Sequence, residues 1–208
     1  MNRSLRSSRS LRSVLACAFA GTLLLGASAS ALAANWDLDA GHSRVGFAVR
    51  HMMIATVHGS FGKYAGTVAL DDGDITKSKV HLEIDAASIV TQNDKRDSDL
   101  KSPLFFDVAH FPTITFDSTK VERRGGNALS VTGNLTIKGV TKSVVLAIAD
   151  LTGEVKDPFG AIRRGATAQA KINRKDFGLT WNKPLETGGV VLGDEVTIEL
   201  DVELKKAR

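Results

Sequence analysis

The sequence predicts an all-β protein, an antiparallel meander that closes into a barrel or pairs as a sandwich. Three observations predict it. Apolar and polar residues alternate with period two in run after run, which gives each strand one dry face and one wet face. Glycine is frequent and proline scarce, 19 against 4 in 208 residues. Turn signals fall between the runs, at Asp72-Gly73, Arg124-Gly125-Gly126-Asn127 and Lys138-Gly139. Closure is expected because open sheet edges invite aggregation. No internal repeat, low-complexity tract or linker divides the chain, so it reads as one domain.

The first element is a leader, residues 1–33. Arg3, Arg6, Arg9 and Arg12 form a basic region, an apolar stretch runs from Val14 to about Gly26, and Ala31-Leu32-Ala33 is an A-x-A cleavage site. The apolar core is shorter than the ~20 residues a bilayer span needs, so this is a secretory signal and not an anchor. Val14-Leu15-Ala16-Cys17 loosely resembles a lipobox, but it follows the basic region with almost no apolar segment before it. Cys17 is expected to leave with the signal. Cleavage removes four arginines and no acid, which leaves 23 basic against 23 acidic residues in 34–208. A neutral chain has no electrostatic reason to bind nucleic acid. Arg123-Arg124 and Arg163-Arg164 stand beside glycines and read as solvated turn residues. Without cysteine, the mature chain forms neither a disulfide nor a thiolate metal site.

The strands follow in order. From about Ser43, Val45, Phe47, Val49 and His51 share one face, and Arg44, Gly46, Ala48 and Arg50 the other. Val80, Leu82 and Ile84 belong together, as do Ile114 and Phe116, and then Leu129, Val131, Gly133, Leu135 and Ile137. Ala166, Ala168 and Ala170 share the apolar face of the strand that ends near Ile172. Three alanines fill little volume, so their space is taken by larger residues across the barrel or left for a ligand. Val196, Ile198, Leu200, Val202 and Leu204 close the series. One segment breaks the pattern. Residues 90–112 are too long for a hairpin loop. Thr91 with Asp94 resembles a capping box, so a short helix is expected there, followed by an apolar cluster of Leu100, Leu104, Phe105, Phe106 and Phe111 between Pro103 and Pro112. This segment is a plug or a lid, and in either role it should touch the mouth of a cavity.

Motifs for chemistry are missing. His42 and His51 are nine residues apart, an odd spacing that points them to opposite faces of a regular strand, and His58, His81 and His110 are scattered without metal-binding spacing. Gly41-His42-Ser43-Arg44-Val45-Gly46 is one residue too long for a nucleophile elbow and leads into a strand. No dinucleotide or phosphate-loop pattern occurs. Asp71, Asp72 and Asp74 read as turn chemistry, and Asp94, Asp97 and Asp99 alternate with Lys95, Arg96 and Lys101 as a solvated face. No catalytic residue, metal or cofactor is expected.

With these stretches in hand, the chain resembles the YceI-like family of secreted bacterial polyisoprenoid-binding proteins, from about Trp36 to Lys205. The likeness is carried by Asp39, His42-Ser43, Val45, Phe47, Val49, His51, Gly59 and Phe61. It continues through Ile84-Asp85, Ser88-Ile89, Thr91, Arg96-Asp97, Leu100, Ser102 and Phe105-Phe106-Asp107. Pro112-Thr113-Ile114-Thr115-Phe116 and the run Gly133 to Lys142 follow, then Arg174, Asp176-Phe177-Gly178-Leu179 and Gly193-Asp194-Glu195-Val196. Trp36 stands where the family often has Tyr, and Ala40 where it often has Pro.

The resemblance implies an extended, lipocalin-like barrel of eight antiparallel strands over 34–208, with a short helical insertion. It also implies an isoprenoid lipid or other long-chain amphiphile in an apolar pore and homodimers, which members often form; with the leader, the expected location is periplasmic, and transient membrane contact is compatible with a lipid carrier. Combined with the alternation, it assigns ligand contact to Val45, Phe47, Val49 and His51, to Leu82, Ile84, Ile114 and Phe116, and to Leu100, Phe105 and Phe106 of the insertion. On the later strands it assigns Leu129, Val131, Leu146, Ala166, Ala168 and Ala170. Two other readings compete. One is a lipid-modifying hydrolase or isomerase that uses His42, His51 or His58 with Asp39 or Asp85. It requires a histidine–carboxylate pair facing the cavity. The other is a secreted module whose barrel is dry and filled.

Overall fold

The computed structural model describes residues 33–186 and 188–207; the expected leader, with Cys17, lies outside the described residues apart from its last residue, Ala33. The strand segments are β1 (Ala34–Leu38), β2 (Arg44–His51), β3 (Ala55–Phe61), β4 (Tyr64–Leu70), β5 (Lys79–Asp85) and β6 (Ile89–Val90), then β7 (Thr113–Gly125), β8 (Ala128–Ile137), β9 (Val140–Ala149), β10 (Val155–Lys156), β11 (Ile162–Asn173) and β12 (Leu192–Lys206). All pairings among them are antiparallel. β1 and β2 lie end to end along β12, at Leu38↔Leu204 and Arg44↔Asp201, so they act as one broken strand. β4 and β3 continue each other in the same way beside them, as do β5 and β6. With those three breaks merged, eight long strands run up and down and close through β11–β12 into a barrel. This is the all-β class that the alternation predicts.

Turns form where the backbone can take positive φ. Lys138 and Gly139, at 49° and 73°, connect β8 to β9, and Gly125 and Gly126 connect β7 to β8. The β2–β3 turn carries no such signal. Its central residues are Met52 and Met53, left-handed at 51° and 61°, and Ile54 N donates to His51 O at 3.1 Å.

Each end of the barrel is closed differently. At the end that holds the chain's N-terminal strand, Trp36 is fully buried with Leu70, Ile75 and Leu204. The Arg164 guanidinium lies 5.2 Å from the Trp36 ring centre and bonds Asp72 at 2.9 Å. The expectation of solvated turn residues therefore fails for Arg163-Arg164. Both sit in β11, and Arg163 is shared by Asp39, Asp157 and Glu203. The carboxylates that hold it come from separate parts of the chain, which local sequence cannot show.

The opposite end is crossed by the segment 91–112. Its helix, α1 (Asp94–Lys101), starts where expected, but the capping box is not made by Thr91 and Asp94. Asn93 is the N-cap and accepts from Arg96 N at 3.0 Å. Thr91 instead donates from backbone and hydroxyl to Asp97, and accepts from Arg96 Nε at 2.7 Å. Beyond α1 the chain spans the barrel mouth. Phe106 meets Phe61 edge-on at 6.0 Å, Phe105 tilts against Trp181 at 5.3 Å, and Lys138 Nζ holds Pro103 O at 2.8 Å.

The Arg163 cluster sets a pH dependence. The Arg163 guanidinium, then His42, hold the Asp39 carboxyl down from 3.8 to about 2. A carboxyl that is more acidic in the folded state stabilises the fold above its unfolded value and loses that contribution as pH falls through its folded value. The stability gap between wild type and Asp39→Asn is thus expected in full at neutral pH. It should close between 3.8 and about 2, as read from urea midpoints across that range.

Candidate functional site

Inside the barrel lie two cavities of about 180 Å3 and 120 Å3. The larger is bounded by β2, β3, the cap and the β12 start, the smaller by β1, β4, β5 and the β12 end. Val45, Leu82, Leu146 and Leu200 wall both, so the two lobes abut at a shared girdle of side chains.

The walls follow from strand parity. Val45, Phe47, Val49 and His51 face the larger lobe with Leu82, Ile84, Ile114, Phe116 and Leu146, and Leu100, Phe105 and Phe106 close it from the cap. Leu129, Val131, Ala166 and Ala168 line the smaller lobe. Ala170 is buried in the core and lines neither lobe. The alternation also places wall residues outside the expected set, namely Leu135, Ile137, Val196, Ile198 and Leu200. Their own period-two pattern carries that signal. Arg174 and Leu179 reach the larger lobe from an irregular segment, where no periodicity could reveal them.

Bulky walls leave an open lumen because glycines recess them. A Cβ at Gly59 would collide with the Phe47 ring, and one at Gly133 would collide with the Phe116 ring and stand 2.6 Å from Asp117 O. Each ring lies over a glycine of the adjacent strand. Gly133→Ala is expected to push Phe116 into the lumen and to cost about 1–3 kcal/mol by overpacking. Chemical denaturation would show it; a loss within ~0.5 kcal/mol, the range of an ordinary surface change, would show that the ring is not seated there.

Among the described residues, the histidines take their carboxylate partners in exposed surroundings or on the outer face. His42, His81 and His110 meet Asp39, Asp117 and Asp107 at 3.0, 2.7 and 2.9 Å, all in exposed surroundings. His58 approaches Glu199 at 3.6 Å on the outer face, and Asp85 caps the turn at Ala87. His51 faces the larger lobe, and among the described residues it has no carboxylate partner. Of the pairs that the hydrolase reading names, His42–Asp39 forms but lines neither lobe; His81, bonded to Asp117, borders the smaller one. Asp39, His42 and Glu203 do place ligand atoms within 4.8 Å of one another, but the Arg163 guanidinium already bridges the two carboxylates.

Arg174 also borders the lobe, yet its donors are committed. Nε bonds Gly193 O at 2.9 Å, Nη1 bonds Leu179 O and Trp181 O, and Nη2 reaches Leu192 O and Asp194. Burial pushes its pKa down. What remains facing the lumen is almost wholly hydrocarbon.

Comparison with known proteins agrees with this geometry. The model of the YceI-like domain matches residues 36–204. Protein YceI of Salmonella newport is 40% identical over 159 residues, which are 76% of this chain and 82% of that protein. Among solved structures, Burkholderia cenocepacia BcnA superposes with a TM-score of 0.70 at 23% identity, over 80% of this chain and 98% of that one. A polyisoprenoid binding domain from Saccharophagus degradans superposes with a TM-score of 0.60 at 16% identity, over 84% of this chain and 99% of that one.

Proposed function

The chain belongs to the YceI-like family, and from that premise we propose that it is a periplasmic carrier holding one long isoprenoid lipid, a polyprenyl chain or an isoprenoid quinone, along its two-lobed lumen. The observation that supports this reading is the barrel interior: two adjoining lobes, walled by apolar side chains from the cap to the Trp36 end. An apolar chain needs no polar anchor there. Burial contributes about 25 cal/mol per Å2 of apolar surface, so a few isoprene units bind tightly by area alone. The Saccharophagus degradans domain is a binder of the same class of ligand. The leader pattern in residues 1–33 supports export.

The test is native mass spectrometry on protein purified without detergent. An isoprenoid mass retained on the folded protein is the expected result. A preparation that is lipid-free and takes up no prenyl chain from solution would overturn the reading.

A further inference from the structure

Among the described residues, four of the eight exposed large apolar side chains stand on the β2–β3 turn and the cap. Met52, Met53 and Ile54 are 40%, 55% and 78% exposed on the β2–β3 turn, and Leu104 is 62% exposed on the cap. These sites belong to one rim. Leu104 precedes Phe105, which tilts against Trp181. Two residues on from Trp181, Lys183 O accepts from Val191 N, and Val191 O accepts from Met52 N at 2.7 Å. Just inside the rim, His51 and Leu192 pair across β2 and β12 and line the larger lobe.

The tip residues contradict their own turn. Both central positions are left-handed, a conformation that favours Asn-Gly and disfavours long side chains. Methionine at both positions works against local stability, and neither side chain is buried in return. Below the tip, Arg50 donates to Met53 O at 2.9 Å and to Thr56 Oγ1 at 3.1 Å. Among the described residues, Arg50, Lys183 and Lys138 have no carboxylate within ion-pairing distance, and Glu186 is the acid on the same loop as Lys183. Apolar side chains projecting beside Arg50, Lys138 and Lys183 match the interface of an anionic bilayer, with hydrocarbon below the headgroups and phosphates at the level of the guanidinium.

We propose that the Met52-Met53-Ile54 tip and Leu104 form a membrane-docking rim that inserts into the interface of an anionic phospholipid bilayer and sets the cap end of the lumen against it. The proposal rests on the carrier reading for its purpose, since a water-insoluble chain must pass from a bilayer to the lumen. The test is arranged so that the two can fail separately.

In a Cys17→Ser background, a single environment-sensitive dye is placed at Ile54→Cys or at Phe159→Cys. Phe159 is 95% exposed on the β10–β11 turn at the other end, so it controls for mere apolar exposure. With vesicles of phosphatidylethanolamine and phosphatidylglycerol, the dye at position 54 should shift to the blue and the dye at 159 should not. The Met52→Asn/Met53→Gly double variant should melt at a higher temperature and bind these vesicles at least ~10-fold more weakly. It should take up a fluorescent prenyl alcohol from detergent as wild type does. No shift at position 54, an equal shift at 159, or unchanged vesicle binding by the double variant overturns the docking rim. Failure of wild type to take up the prenyl probe from detergent overturns the carrier reading instead.

Discussion

Ala168→Phe is expected to leave the protein folded while long isoprenoids lose their site. Ala168 is buried in β11, opposite Leu200 of β12 on one side and Ile148 of β9 on the other. Leu200 in turn pairs with Val45. Ala168 lines the smaller lobe level with the girdle that both lobes share, so a phenyl ring there obstructs a chain lying across both. In a tightly filled core the added ring would cost about 1–3 kcal/mol. Here it enters existing space, so the unliganded protein should melt at or above the wild-type temperature. A long chain must then give up the smaller lobe. Losing three or four buried methylenes at ~0.8 kcal/mol each corresponds to roughly 100-fold weaker binding. A short prenyl alcohol that fits the larger lobe should bind within ~3-fold of wild type, well under 1 kcal/mol. Thermal melts and titrations with prenyl alcohols of graded length decide the matter. A destabilised variant that binds long chains normally would show that Ala168 packs against its neighbours and that the lobes connect elsewhere.

Arg174→Met is expected to show the largest loss of stability. The side chain is buried and ties its own segment to two others, through Leu179 and Trp181 and through Leu192, Gly193 and Asp194. Methionine fills part of the volume and supplies no donor. Leu192 O keeps the Asn182 side-chain amide at 2.7 Å, but the carbonyls of Leu179, Trp181 and Gly193 lose the guanidinium, and each unsatisfied buried acceptor costs about 1–3 kcal/mol. Asp194 is not stranded, because Lys175 holds its other oxygen at 2.8 Å. A total of about 3–5 kcal/mol follows, the range found when one member of a buried charged network is removed. Arg174→Lys should recover only a part, since an ammonium cannot reproduce the planar fork. Urea denaturation measures both. A Met variant within ~1 kcal/mol of wild type would mean that water replaces the guanidinium without loss. The change also frees Trp181, the partner of Phe105, so the cap should exchange amide hydrogens faster than the barrel strands.

Much of the lumen is legible in the amino-acid sequence, because a strand obeys a local rule. Every second side chain faces the same way, so Val45-Phe47-Val49 or Leu129-Val131 declare their face without reference to anything distant. The dry inner face, the turns at Gly125-Gly126 and Lys138-Gly139, and the intrusion of a short helix near residue 94 are all properties of neighbouring residues. The likeness to the YceI-like family then supplies strand number and closure, which alternation alone leaves open between barrel and sandwich.

Tertiary structure decided what depends on partners remote in sequence. Ala168 and Ala170 are the same residue on the same face, yet only Ala168 meets empty space, because what stands opposite is fixed by barrel curvature and register. Arg163 and Arg164 look like turn bases until Asp39, Asp157, Glu203 and Asp72 arrive from elsewhere in the chain to enclose them. Asn93, and not Thr91, caps α1 because Thr91 is drawn into bonds with Arg96 and Asp97. Met52-Met53 carries no turn signal, yet it becomes a left-handed turn because β2 and β3 must pair. Parity is set by adjacent peptide units and is written in the chain; occupancy, charge pairing and closure are set by contacts across the barrel, and they exist only once it has closed.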